Sequence, residues 1–96
     1  MKPFPATDPF VAAAGRIIWF KSPVDALDAP LELMTYALKY ATPADMLLLL
    51  SWIGPAGLAE TLDNARPGIV DARSWSYWNI VAGRHPPSPL PQRRID

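Results

Sequence analysis

The prolines of this chain restrict its fold more than any other feature, and there are twelve of them. Proline lacks a backbone N–H and clashes with the preceding turn, so it suits the first turn of a helix but breaks a helix interior. Pro9, Pro23, Pro30, Pro43 and Pro55 each stand at the start of a segment that can be helical. The prolines therefore predict a series of short helices that begin at these positions.

The first predicted elements are short. Residues 9–14 are expected to form a helix that ends at Gly15, and Ser22 caps at most one further turn. For residues 17–20 the spacing leaves two alternatives open, an extended segment or a continuation of the first helix.

The clearest helical pattern begins at residue 28 or 29 and runs through Tyr40. Leu31, Met34, Leu38 and Ala41 recur in it at three- and four-residue steps, so they are expected to share a buried face.

Thr42 has the form of an N-cap for the next helix, residues 43–53. This helix is apolar nearly all round, so we expect it to be central in the core or partly covered by a partner. Gly54 ends it, and residues 55–65 form the following helix. Asp71 is the predicted N-cap of a last helix that stops at Gly83.

These segments predict an all-α fold, a small bundle of about four main helices. The close pair around Gly54 is compatible with a helix-turn-helix arrangement. Residues 1–8 form an irregular N-terminal arm, residues 9–83 the helical domain, and residues 84–96 a proline-rich basic tail that is expected to be extended, solvated and mobile. The predicted core consists of Leu31, Met34, Leu38, Leu47, Leu50, Leu58, Leu62, Trp78 and Val81.

Composition excludes several classes of protein. Half of the 96 residues are hydrophobic, enough to form a core, and cysteine is absent, which excludes disulfides and thiolate metal sites. The beginning of the chain lacks the apolar stretch of a signal peptide, and the run from Met46 to Ile53 is far shorter than a membrane span. We therefore expect a cytoplasmic protein with no membrane contact.

The charge distribution argues against nucleic acid as the partner. Residues 1–83 carry six Lys and Arg against eight Asp and Glu, so the domain is mildly acidic. Residues 55–65, which would be the recognition helix of a helix-turn-helix, contain Glu60 and Asp63 but neither Lys nor Arg. A small DNA-associated transcriptional regulator is therefore the alternative hypothesis rather than the leading one.

No residue pattern predicts catalysis, metal binding or a cofactor. His85 is the single histidine, and it falls in the tail, where a general base would lack a rigid setting. Two pairs of carboxylates stand three residues apart, Asp25 with Asp28 and Glu60 with Asp63. Such pairs are typical of helix caps and of solvent-exposed helix faces. We therefore expect a noncatalytic protein without a cofactor.

Aromatic residues are numerous for so small a core, and tryptophan and tyrosine are frequent in binding hot spots. Trp52 and Trp78 are expected to be buried, while Trp75 and Tyr77 are expected to stay exposed. The residues predicted to contact a partner are Trp75, Tyr77, Trp19, Phe20, Arg93 and Arg94.

A family resemblance runs through residues 16–83. Trp19-Phe20, a Ser-Pro turn, Leu27, Leu38, Tyr40, Asp45, Gly54, Leu58, Leu62, Arg73-Ser74 and Trp78 follow each other in an order that resembles a group of small helical bacterial proteins. Genes of that group often lie beside nucleotidyltransferase-like toxins, and the proteins are regarded as antitoxins. The resemblance implies a protein-binding module that neutralises a cognate toxin by forming a complex. Association of this chain with itself into a homo-oligomer is a separate alternative.

Overall fold

The computed structural model describes residues 1–84 and 86–91, and its regular structure in that part of the chain is entirely helical, with no strand. Helix α1 spans Asp8–Ile17, α2 Pro23–Leu27, α3 Pro30–Tyr40, α4 Pro43–Asn64 and α5 Ala72–Val81. Four of these five helices have ten or more residues. The prediction of a small all-α bundle is confirmed.

Side-chain caps begin three of the helices where the sequence predicts them. The Ser22 hydroxyl accepts from the backbone N–H of Asp25 at 3.2 Å, and the Thr42 hydroxyl accepts from that of Asp45 at 3.1 Å. Asp71 accepts from the N–H of Ser74 at 3.2 Å. Each cap satisfies a backbone donor that has no partner inside its own helix.

Gly54 divides α4 into a first half, residues 43–53, and a second half, residues 55–64. Its φ of 65° and ψ of −174° lie outside the helical region, and Pro55 follows directly. Only glycine adopts this conformation at low cost. The break is a single residue, whereas a helix-turn-helix joins its helices through a turn of about three or four residues.

Helix α1 is longer than the sequence indicates. The predicted end at Gly15 is wrong, because the helix continues through Ile17 and leaves the helical conformation only at Ile18. Ile17 and Ile18 are each 1% exposed, and the burial of these two side chains stabilises the additional turn of the helix. Trp19 and Phe20 then lie outside any helix, in the loop before α2.

The core lies where α1, α2, α3 and α4 meet. Met34, Leu38, Leu58 and Leu62 are buried as predicted. Leu31, Leu50 and Trp78 are half-buried. Leu47 and Val81 were expected in the core, and this expectation is wrong, because they are 71% and 49% exposed. The central buried residues that periodicity did not identify are Ile17, Ile18, Leu27, Leu33 and Leu49.

The N-terminal arm packs onto the bundle although it has no regular structure. Phe4 is 4% exposed, and its backbone N–H donates to the carbonyl of Leu27 at 3.0 Å. The carbonyl of Pro3 accepts a hydrogen bond from the Trp52 indole at 3.2 Å. The arm is therefore attached to both α2 and α4.

The described part of the tail, residues 86–91, also contacts the bundle. The carbonyl of Ser88 accepts from the Trp75 indole N–H at 2.7 Å, and the N–H of Ser88 donates to Asn79 Oδ1 at 3.3 Å. Leu90 is half-buried against the core. The expectation of a solvated, unattached tail is wrong for these residues, because the Ser88 backbone forms two hydrogen bonds with α5 and Leu90 packs against the core.

Candidate functional site

An apolar groove lies between the end of α3, the first half of α4 and α5. It has a volume of about 660 Å³. Its half-buried or buried lining includes Leu38, Leu50 and Trp78, whose indole N–H donates to the carbonyl of Leu38 at 2.8 Å. We call this surface the α4–α5 groove.

Three large side chains line the groove and remain open to solvent. Leu47 is 71% exposed, Tyr77 58% and Val81 49%. Leu47 and Leu50 are three residues apart on α4, while Tyr77 and Val81 are four apart on α5, so each pair lies along one helix face. The two helices thus present apolar stripes to the same groove.

The groove continues toward the break in α4. A smaller cavity of about 270 Å³, lined by Gly54, Pro55 and Leu58, shares Leu50 and Val81 with the α4–α5 groove. The break in α4 therefore lies beside this end of the groove.

The start of α5 brings a charged and a polar side chain to one end of the groove. Arg73 and Ser74 belong to its lining there. Hydrogen bonds from Ser74 lower the pKa of the neighbouring Asp71 carboxyl, so Asp71 is an anion at neutral pH. The other lining residues are mainly apolar, an arrangement suited to an amphipathic helix or another apolar segment of a protein.

Trp19, Phe20, Tyr36 and Tyr40 form a second exposed surface, which we call the aromatic cluster. The Trp19 ring lies edge-to-face with the other three rings, at centroid distances of 5.4, 6.0 and 5.9 Å. Trp19 is 71% and Phe20 46% exposed. These distances are those of direct ring packing. The cluster is therefore a projecting surface rather than a cage around a cation.

Trp75 does not lie where it was expected. It was predicted to be exposed, yet it is 3% exposed and packs in the core beneath the tail. Tyr77, its predicted companion, is exposed. The two residues are two positions apart, so on a helix they project in directions about 200° apart and cannot share a surface.

Trp52, in contrast, was expected to be buried, and this expectation is wrong. Its ring is 47% exposed and makes an edge contact with Phe10 at 6.2 Å. The other proposed contacts, Arg93 and Arg94, lie outside the described residues, and so does His85.

Three acidic side chains, among them the predicted pair Glu60 and Asp63, are paired with cations. Glu60 lies 3.3 Å from the N-terminal amino group of Met1, and Asp63 lies 2.8 Å from Arg84. Asp45 accepts two hydrogen bonds from Arg16, at 2.9 and 2.6 Å. These hydrogen bonds lower the pKa of the Asp45 carboxyl, against the opposing effect of burial.

Comparisons with protein-family models, with curated proteins and with solved structures find no match to this chain. Residues 1–84 and 86–91 bring no group of three or more histidine, cysteine, aspartate and glutamate side chains into a metal-binding arrangement. In the same part of the chain, no helix is both long and apolar enough to cross a bilayer.

Leu47 and Val81 are the exposed groove residues that were predicted to lie in the core. A signal for them was present, since residues 43–53 are apolar on nearly every face and a helix surrounded by only a few neighbours cannot bury all of its faces. Which face stays open depends on the packing of α5, and helical spacing alone does not give that.

Proposed function

We propose that this protein is a noncatalytic binding module that acts on another protein in the manner of an antitoxin. This protein binds a toxin through the α4–α5 groove and keeps the toxin inactive by covering the toxin's functional surface. The resemblance of residues 16–83 to antitoxin-like proteins supports a nucleotidyltransferase-like toxin as the partner.

The observation that carries this proposal is the set of exposed apolar side chains along the groove. Leu47, Tyr77 and Val81 would all lose contact with water if an apolar segment lay in the groove. Fully burying a large apolar side chain contributes about 1.5–3 kcal/mol, and these three are already partly covered, so each supplies a fraction of that. Exposed apolar surface that is concentrated in a groove is typical of protein-binding sites.

The aromatic cluster supplies a second contact surface for the same partner. Trp19 and Phe20 present two large rings whose packing against Tyr36 and Tyr40 already restricts their motion. Little side-chain entropy is then lost when a partner covers them, which favours aromatic anchors in interfaces.

The proposal is tested with a groove variant and with a control substitution on α5 outside the groove. Val81 lines the groove and is 49% exposed, whereas Ile80 is 50% exposed and does not line it. Val81→Ser together with Leu47→Ser should weaken binding at least tenfold, while Ile80→Ser should leave the affinity within about twofold. Both proteins should unfold cooperatively by circular dichroism.

The partner in this test is the product of the neighbouring gene, used in titration calorimetry and in a growth assay. We expect expression of that product alone to slow growth and coexpression of this protein to restore it. Equal binding by the groove variant and the Ile80→Ser control would place the contact on another face. A lack of binding between the two wild-type proteins would refute the antitoxin assignment for that neighbour.

A further inference from the structure

The described tail, residues 86–91, meets α5 through a pair of hydrogen bonds to one tail residue. Ser88 accepts from the Trp75 indole through its carbonyl and donates to Asn79 through its N–H. Trp75 and Asn79 are four residues apart, so they lie on the same face of α5. Both contacts use the backbone of Ser88 rather than its hydroxyl.

Trp75 and Asn79 hold their positions through contacts of their own. Asn79 is fully buried, and its Nδ2 donates to the carbonyl of Trp75 at 2.8 Å. This bond leaves Asn79 Oδ1 directed at the tail as an acceptor. The Trp75 ring is packed in the core, so its indole N–H has a fixed direction as well.

The docked segment has the sequence Pro-Pro-Ser-Pro-Leu-Pro. Its four prolines carry no N–H, so Ser88 and Leu90 are the only backbone donors in it. Asn79 binds one of them. Proline-rich segments favour the extended polyproline conformation, which has no internal hydrogen bonds and leaves its carbonyls free for donors such as an indole N–H.

We propose that Trp75 and Asn79 form a recognition site for an extended proline-rich peptide, and that a proline-rich segment of a partner protein competes for it with this chain's own tail. The site requires a non-proline residue at the position of Ser88, where the N–H is used, and an apolar residue at the position of Leu90. It is separate from the α4–α5 groove and does not depend on the antitoxin assignment.

Two substitutions of Ser88 in the full chain separate its backbone N–H from its side chain. Ser88→Pro removes the N–H, and the residue is already restricted to extended backbone because Pro89 follows it. Ser88→Ala keeps the N–H and removes only the hydroxyl. We expect Ser88→Pro, but not Ser88→Ala, to shift the Trp75 indole resonance and to speed its hydrogen exchange.

The site is then probed with a blocked synthetic peptide of the sequence of residues 86–91. The peptide should bind the Ser88→Pro chain at least fivefold more tightly than the Ser88→Ala chain, whose own tail still occupies the site. The largest shifts should fall on the Trp75 indole and the Asn79 amide. A peptide with proline in place of serine should bind neither chain measurably.

Two results would overturn the proposal. Equal affinity of the peptide for both chains would show that the tail does not compete for the site. Loss of cooperative unfolding in the Ser88→Pro chain would show that the tail is part of the core rather than a displaceable ligand.

Discussion

The ion pair between Arg16 and Asp45 joins α1 to the start of α4, and replacing Asp45 with asparagine tests its contribution. The Asp45 side chain is 5% exposed and the Arg16 side chain 56%. Asp45→Asn keeps the shape of the side chain, but it removes the charge that receives both guanidinium hydrogen bonds. The amide can accept only one such bond in the same orientation, since its other end is a donor.

The expected loss follows from these contacts. Hydrogen bonds to charged groups contribute about 1.5–3 kcal/mol to stability. Solvent reaches the Arg16 side of the pair, which favours the low end, so we expect Asp45→Asn to cost about 1.5–2 kcal/mol. In a domain of this size such a change lowers Tm by roughly 6–16 °C.

The pH dependence of this loss has a defined sign. Because the Arg16 guanidinium lowers the pKa of Asp45 in the folded protein, folding is favoured when the carboxyl is ionised. This stabilisation is complete above the pKa of the unfolded chain and is lost as the pH falls through the lower pKa of the folded state. The difference in Tm between wild type and Asp45→Asn should therefore be largest near neutral pH and shrink below about pH 4.

Thermal unfolding followed by circular dichroism at pH 7 and pH 3 measures both effects. Asp25→Asn is the control, because Asp25 is an exposed aspartate in the first turn of another helix. It should change Tm by less than about 3 °C. If Asp45→Asn lowers Tm no more than the control does, or if its effect is the same at both pH values, the ion pair makes no net contribution and the reasoning is refuted.

Three further predictions follow from the packing and the charges. Leu33→Ala, at a fully buried position, should lower the free energy of unfolding in urea by about 3 kcal/mol. Leu47→Ala, at an exposed position, should lower it by less than about 0.5 kcal/mol. Similar losses for the two variants would contradict the assigned burial. Replacing residues 86–91 with alternating glycine and serine should lower Tm by about 4–8 °C through the lost contacts to α5, and an unchanged Tm would show that these contacts add nothing. The protein should show no salt-dependent binding to duplex DNA in the micromolar range, because residues 55–64 carry no Lys or Arg. Submicromolar affinity that falls steeply with added salt would favour the alternative of a DNA-associated regulator.

Only some residues of the candidate site could be predicted from the sequence. Tyr77 was expected at the surface, Trp19 and Phe20 were predicted to contact a partner, and all three side chains are exposed. Trp75 was expected beside Tyr77 but lies in the core, because residues two apart on a helix point to different sides. The number of aromatic residues does not show which of them are buried, because burial depends on the helix face that each one occupies.

Local sequence by itself determined where the helices begin and break. Proline is disfavoured inside a helix, so it marks the first turn. Ser22, Thr42 and Asp71 accept hydrogen bonds from backbone N–H groups that have no partner in the first turn of their helices. Gly54 adopts a backbone conformation that other residues avoid. These effects act over a few neighbouring residues, so they can be predicted without knowledge of the fold.

Only the tertiary structure decided which apolar faces are covered. Gly15 stays inside α1 because Ile17 and Ile18, beyond it, reach the core. Leu47 and Val81 stay open because α4 and α5 leave a groove between them, and residues 86–91 are held by Trp75 and Asn79. These outcomes depend on contacts between residues distant in sequence, and their energies arise only when the helices have been brought together.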